Sequence, residues 1–416
     1  MNLFNPINLL NIILLILPLN LLSQTTRTLD YYLNEGVKNS PLLKDYANQI
    51  KSAQNDSLII SANQKPQVSA IGAVVLAPVF NGYGYDQSIT NGGNYLGMVN
   101  VSKLLANKKY VNAQYETLNI QNQSTANTAR ISEHDLKKSI TDQYLIVYQD
   151  KKQMEAAKPV IDLLNQETDL LKQLASEGMY KQSDLLSFTI ELQTQQIAYE
   201  QLKIQYRNDI YSLNNLCGIE DTNSVDIAAP GIIKHVNYSL DNIPQFIKFH
   251  LDSLSINNSR KLIDLNYRPQ LNAVANAGLN ASPLIGIQYA YGFSVGLNFN
   301  MPIYDGHQRN LGYKKLEYSE DTRKNYKAFL STQYKIQLQQ IDEGLKANEA
   351  IKNQLNKQRT DIQNLLELNK QQLNTGAISI TDYTINLRRL LDLQNDLNAA
   401  ETKELLLINS YNYIVW

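Results

Sequence analysis

The chain repeats one unit twice, and the unit holds a helix too long for an ordinary globular domain. Helix-like sequence runs from about Leu104 to Ala175 and again from about Ile303 to Leu373. Each run has roughly 70 residues, on the order of 100 Å at the helical rise. The first seam carries Ile140, Tyr144, Val147, Met154 and Ile161. The second carries Tyr334, Leu338, Ile341, Leu345, Leu355, Ile362 and Leu366. Pro159 stands inside the first run and predicts a kink or local unwinding there. Each run ends at a glycine, Gly178 or Gly376, and Asp184 or Asp382 opens the next helix at the same spacing. The returning helices carry matching heptad seams. One passes from Leu185, Phe188 and Leu192 to Leu213 and Leu216; the other from Tyr383, Asn386 and Leu390 to Tyr411 and Ile414.

A pair of strand candidates precedes each long helix. The first pair is 66–78 and 94–102; the second is 269–281 and 287–301. Both open on Pro-Gln, at Pro66 and Pro269. Shorter helices, about 29–63 and 240–266, come before the pairs. The unit is thus helix, strand, strand, long helix, turn, helix. Residues 24–216 form the first repeat, 217–239 a linker, and 240–416 the second repeat. The fold class is mainly α with a small β part.

The strand "YGFSVGLNFNM" (291–301) alternates large apolar residues with glycine, serine and asparagine. Four strands of about ten residues have the length and polarity of membrane-barrel strands. Four cannot close a barrel alone, and open edges are intolerable in lipid, so several chains must share one. Phe293, Val295, Leu297 and Phe299 are then expected to face lipid, and the small polar residues a wet lumen. The other reading is a half-buried soluble sheet with its large side chains packed on helices.

Residues 1–23 read as a signal peptide. An apolar run from about Leu9 to Leu22 is too short to span a bilayer comfortably, and Ser23 follows it. Its leading segment has no Lys or Arg. No cysteine follows the run, as a lipoprotein would need. Lys and Arg total 38 against 39 Asp and Glu, for a net charge of −1, which argues against nucleic acid. The single cysteine, Cys217, excludes an intrachain disulfide and reads as an apolar position. His134, His235, His250 and His307 have no ligand at helical spacing, and no nucleophile–base set is visible, so no enzyme, metal or cofactor is expected. "GYG" at 82–84 reads as an exposed hairpin tip.

The junction "MPIYDGHQR" (301–309), with Pro302 and Gly306, and the turns "LASEGMYKQSDLL" (174–186) and "LNTGAISITDYTI" (373–385) complete an ordered set. With the twofold repeat, the set resembles the outer-membrane efflux proteins, the TolC-type exit ducts. The resemblance covers nearly the whole mature chain. It implies a homotrimer in the outer membrane with a shared twelve-stranded barrel and a helical tunnel across the periplasm. It also implies a periplasmic adaptor protein and an inner-membrane transporter as partners, and a passive conduit as the function. The competing reading is an exported soluble coiled-coil scaffold or a periplasmic adaptor.

Gly178, Asp184, Gly376 and Asp382 are the candidate aperture residues. The two aspartates read as helix caps or first-turn charges, helped by Ser183 and Thr381, and also as an acidic ring. Ile378 and Leu373 stand where a charge lock would be sought, so apolar closure is expected. Lys181 is the one local basic partner for Asp184.

Overall fold

The computed structural model describes residues 26–415, apart from 87, 88, 91, 106, 107, 222, 224, 236–242, 283 and 284. The expected signal segment lies outside the described residues. The elements run α1 (Leu29–Asn39), α2 (Pro41–Asn63), β1 (Gln67–Ala77), β2 (Gly92–Leu104), α3 (Lys108–Ser176) and α4 (Gln182–Cys217). The second half follows with α5 (Pro244–Asn266), β3 (Gln270–Ala281), β4 (Tyr291–Asn300), α6 (Gln308–Asn374) and α7 (Ile380–Ile414).

The long helices α3 and α6 have 69 and 67 residues. The first is continuous through Pro159, so the local unwinding expected from sequence is not seen. Proline removes one donor, the one that would reach the Glu155 carbonyl, and the flanking turns keep the helix. The expected single helix over 29–63 is two. Ser40 ends α1 and its hydroxyl accepts from the Leu43 N–H at 3.4 Å, while Pro41 opens α2. Proline at the first helical position disfavours a helical Ser40, which forces the break. The last strand begins at Tyr291 rather than 287, because Ile287–Tyr289 form a 3-10 turn.

The partners of the long helices share the work of covering them. Helices α2 and α4 pack on α3, and α5 and α7 pack on α6; α5 and α7 also reach α3 and tie the repeats together. The core is therefore drawn out into three separate clusters. One is built on Leu171, Phe188, Leu373 and Tyr383, one on Tyr32, Ile140, Tyr144 and Ile227, and one on Phe246, Tyr334 and Tyr411.

At the middle cluster, part of the linker runs across α3. Arg27 and Ile227 form a parallel bridge, and the Tyr144 hydroxyl donates to the Ala228 carbonyl at 2.7 Å. Cys217 is buried there beside Gly36, and burial pushes its thiol up to about 12.

The four strands make one antiparallel sheet in the order β1-β2-β3-β4. The four helices that adjoin strands, α2, α3, α5 and α6, all meet the sheet at one end, and both hairpin connections lie at the other. At the seam between the repeats, Gly278 pairs with Met98. A Cβ at Gly278 would lie 2.2 Å from the Gly97 carbonyl oxygen, so only glycine fits this crossing.

Candidate functional site

The two ends that carry the candidate site residues are a bare sheet and a double tip. Residues opposed across an antiparallel pair share a face. The register therefore sets Tyr291, Phe293, Val295, Leu297 and Phe299 of β4 beside Leu279, Ala277, Ala275, Ala273 and Leu271 of β3. The same face continues through Val99 and Val101 of β2 to Ala70 and Val68 of β1. Its one charge is Lys103, at the helix end.

The strands contact one another, and no helix is layered over either face. Phe293 is 85% exposed and Val295 78%. This removes the reading in which these side chains pack on helices. The opposite face holds Asn272, Asn276, Ser294 and Asn298, with Ser294 donating to Asn276 at 2.8 Å. In the first hairpin that face also carries Ile71, Leu96 and Met98, so it is less polar than the second hairpin suggested. Tyrosines flank the sheet, with exposed Tyr83, Tyr289 and Tyr291 near the hairpin end and Tyr304 at the helix end. Strands β1 and β4 are open edges.

Pro302 and Gly306 form the turn from β4 into α6. Gly306 and His307 both take positive φ, +64° and +68°, and Gly306 meets this with no Cβ to strain. Asp305 accepts from the Arg309 backbone N–H at 2.8 Å and from the Tyr267 hydroxyl at 2.5 Å. The Tyr267 bond, then the Arg309 N–H, hold its carboxyl below the usual carboxylate range.

The two tip turns are built alike. Gly178 has φ +80° and Gly376 φ +72°. At each, an N–H one residue on reaches back five residues: Met179 to the Leu174 carbonyl at 3.0 Å, and Ala377 to the Gln372 carbonyl at 2.9 Å. This is the left-handed glycine stop that closes helix carbonyls. Asp184 and Asp382 lie in the first turns of α4 and α7. Neither is the cap. Helix α7 is capped by Ser379, whose hydroxyl accepts from the Thr381 N–H at 3.2 Å; α4 starts at Lys181 with no side-chain cap. Thr381 is thus a donor to the cap rather than the cap itself. Asp184 accepts from the Ser183 hydroxyl at 3.4 Å, and no ion pair joins it to Lys181 among the described residues.

The tips are joined by contacts that the sequence did not reveal. The Tyr180 hydroxyl bridges to the carbonyls of Leu373, at 2.9 Å, and Ile378, at 3.2 Å. The positions that lack a charge are thus engaged through their backbone. Arg388 of α7 forms an ion pair with Glu191 of α4, and Lys370 of α6 reaches the buried Glu167 of α3 at 3.1 Å. Burial pushes the Glu191 carboxyl up, but Arg388 and Gln195 outweigh it and hold the group below its ordinary value. The apolar packing between the two tip hairpins of the chain is therefore accompanied by charge pairs. Glu191 adjoins the seam residue Leu192, and Arg388 lies between the seam residues Asn386 and Leu390. Such flanking positions carry interhelical ion pairs, and that spacing was the available signal.

No group of three or more metal-ligating side chains is gathered among the described residues. Nor is any described helix long and apolar enough to cross a membrane, which says nothing of a β-barrel.

No family model matches the sequence, and no curated protein matches it. Solved structures do. The outer membrane protein VceC of Vibrio cholerae is 13% identical, with 93% of this chain and 95% of that one covered at a TM-score of 0.74. CusC, from work on the conformational changes that accompany its folding and transmembrane channel formation, is 12% identical over 94% and 92% at a TM-score of 0.74. The open state of the Neisseria gonorrhoeae MtrE outer membrane channel is 10% identical over 93% and 88% at 0.71. The chain has the fold of the TolC-type outer-membrane channels, the family that its repeat resembles.

Proposed function

We propose that three copies of the chain form an efflux or secretion duct. The duct shares one twelve-stranded barrel in the outer membrane and one helical tunnel across the periplasm. The observation that carries this reading is the sheet. It has one bare apolar face, one largely polar face and two unpaired edges. Strands of 10–13 residues match a tilted crossing of the hydrocarbon layer. Lipid satisfies the apolar face, and only neighbouring copies satisfy both edges without leaving a gap.

The helices support the same ring. Helix α4 carries an exposed heptad stripe, Leu186, Ile190, Ile197, Ile204 and Tyr211. Helix α6 carries a second exposed apolar stripe, less regular in spacing, of Phe329, Ile336, Ile351, Leu365 and Leu368. The two helices run in opposite directions from the tip and do not pack on each other within the chain. Stripe against stripe, edge against edge, is a head-to-tail contact, and such contacts close into rings. In this reading residues 24–216 and 240–416 are the two repeats, 217–239 joins them at the middle of the tunnel, and 1–23 is the export signal. The tips meet a periplasmic adaptor protein and, through it, an inner-membrane transporter. The work of the chain is passive conduction.

Two cysteines test the ring. Ile204 and Ile351 stand about six helical turns from the tip on the two stripes. Ile204→Cys with Ile351→Cys should give an oxidised trimer in membranes, and each single variant should not. A chain recovered as a monomer without detergent would overturn the reading.

A further inference from the structure

We propose that the helix end of the sheet is a binding surface for anionic phospholipid headgroups, with a built pocket between α3 and α5. This rests on reading the sheet as the membrane span. Charge is distributed very unevenly along the crossing segments. Between Gln67 and Ser102 the only charged residue is Asp86, and between Gln270 and Asn300 there is none. Those stretches include both hairpin ends. At the helix end, each of the four chain crossings carries a cation: Lys65 before β1, Lys103 at the end of β2 with Lys108 after it, Arg268 before β3, and Arg309 after β4. The acids within the same reach are Asp264 and Asp305. Both are engaged: Asp264 by Arg309 at 2.6 Å and by Tyr313, Asp305 by Tyr267 and the Arg309 N–H. Of the charges that border the sheet, the cations thus all lie at one level, at the lip of an apolar face. That arrangement matches phosphates lying at the edge of the hydrocarbon layer.

One stretch of this collar is concave. A cavity of about 720 Å³ elsewhere in the chain lies by the linker, but the one at the collar, of about 440 Å³, is lined by Lys109, Lys261 and Arg268, by the carboxylates Glu116 and Asp264, and by Asn258. Asn258 is 3% exposed. Its amide nitrogen donates to the Ala113 carbonyl and the Thr117 hydroxyl, both at 2.9 Å, which fixes its orientation. Its oxygen meets no donor. A buried acceptor left open is costly, and it is satisfied by a ligand that brings a donor. Three cations against two carboxylates, one of them held by Arg309 from outside the pocket, beside one open acceptor suit a phosphodiester whose headgroup carries a hydroxyl. Phosphatidylglycerol of the periplasmic leaflet has that chemistry. The opposite end of the sheet offers no cation to a phosphate.

The experiment uses the detergent-extracted, delipidated oligomer and follows its melting temperature and lipid retention by native mass spectrometry. Phosphatidylglycerol should be retained and should raise the melting temperature more than phosphatidylcholine of the same chains. Lys109→Gln/Lys261→Gln/Arg268→Gln should lower phosphatidylglycerol affinity, by about five-fold per cation and on the order of 100-fold in all, while the oligomer stays assembled. In the unaltered protein, 0.5 M salt should erase the preference, at ionic strengths where the Debye length is only a few ångström. Equal response to the two lipids would overturn the proposal, as would a triple variant that keeps the preference. So would a triple variant whose lipid binding is unchanged but whose ion selectivity shifts, since the pocket would then face the lumen. A chain that needs no detergent would instead overturn the membrane reading itself.

Discussion

Asp150 and Asn348 occupy one position in the two repeats, 198 residues apart as Gly178 and Gly376 are, and they satisfy it differently. The Asn348 amide donates to the Ala400 carbonyl at 2.8 Å. Asp150 accepts from the Gln205 amide at 2.9 Å, and its second oxygen meets no donor. Burial, then the neighbouring Asp209, raises the Asp150 carboxyl from 3.8 to about 7; Gln205 opposes this only in part.

A pH dependence follows from that difference. The folded chain holds the Asp150 proton up to about pH 7, and the unfolded chain releases it near its ordinary value. Between those limits the folded state binds more protons, so stability falls as pH rises. Asp150→Asn should flatten that dependence and stabilise the protein at pH 8 by roughly 1–3 kcal/mol, with little change at pH 4. Thermal unfolding at pH 4, 6 and 8 measures it. A variant with the same slope as the parent would contradict the assignment.

The sheet register makes a sharp contrast between neighbours. Leu297 lies on the bare apolar face and Asn298 on the other. Leu297→Arg should cost about 2–4 kcal/mol of membrane folding if it lies near the midplane, and Asn298→Arg should be tolerated. The yield of folded, detergent-extracted oligomer reads both. Equal yields would mean that this face does not meet lipid.

At the tip, Tyr180 and Arg388 act as ties between the two hairpins. Tyr180→Phe removes the one hydroxyl proton shared between the two carbonyls, worth about 0.5–1.5 kcal/mol. Arg388→Ala leaves the largely buried Glu191 without its cation. Each change should raise single-channel conductance in planar bilayers, and the pair should raise it further. Unchanged conductance in both would mean that the ties hold the fold without limiting the aperture.

Asp382 separates charge from capping more cleanly than its sequence suggested, because Ser379 is the cap. Asp382→Asn should cost only the first-turn charge term, about 0.3–1 kcal/mol. If three copies ring the axis, cation selectivity should also fall, most at low salt, where the Debye length is longer than the ~10 Å at 0.1 M. A fall in melting temperature with selectivity unchanged would leave Asp382 with the helix alone.

Much of this architecture was legible because it rests on periodicity. The seams through Ile140, Tyr144 and Val147, and through Tyr334, Leu338 and Ile341, are buried as their spacing requires. The alternation of 291–300 fixed one face outright. What escaped were features decided by partners far along the chain. Glu191 and Arg388 meet across two helices from different repeats, and neither sequence neighbourhood names the other. Tyr180 binds carbonyls, and a carbonyl has no signature in a sequence. The split at Ser40 was visible in the Ser-Pro pair, but the strong helical pattern around it concealed a single-residue break.

The open edges of β1 and β4 have a genetic consequence. In a ring of identical copies, each chain supplies one edge to the copy before it and one to the copy after. A chain with a normal β1 and a ruined β4 would still be accepted on one side and would leave a gap on the other. Such an allele should therefore be dominant, spoiling rings that contain sound copies, whereas a chain that lost both edges would be left out and its allele would be recessive.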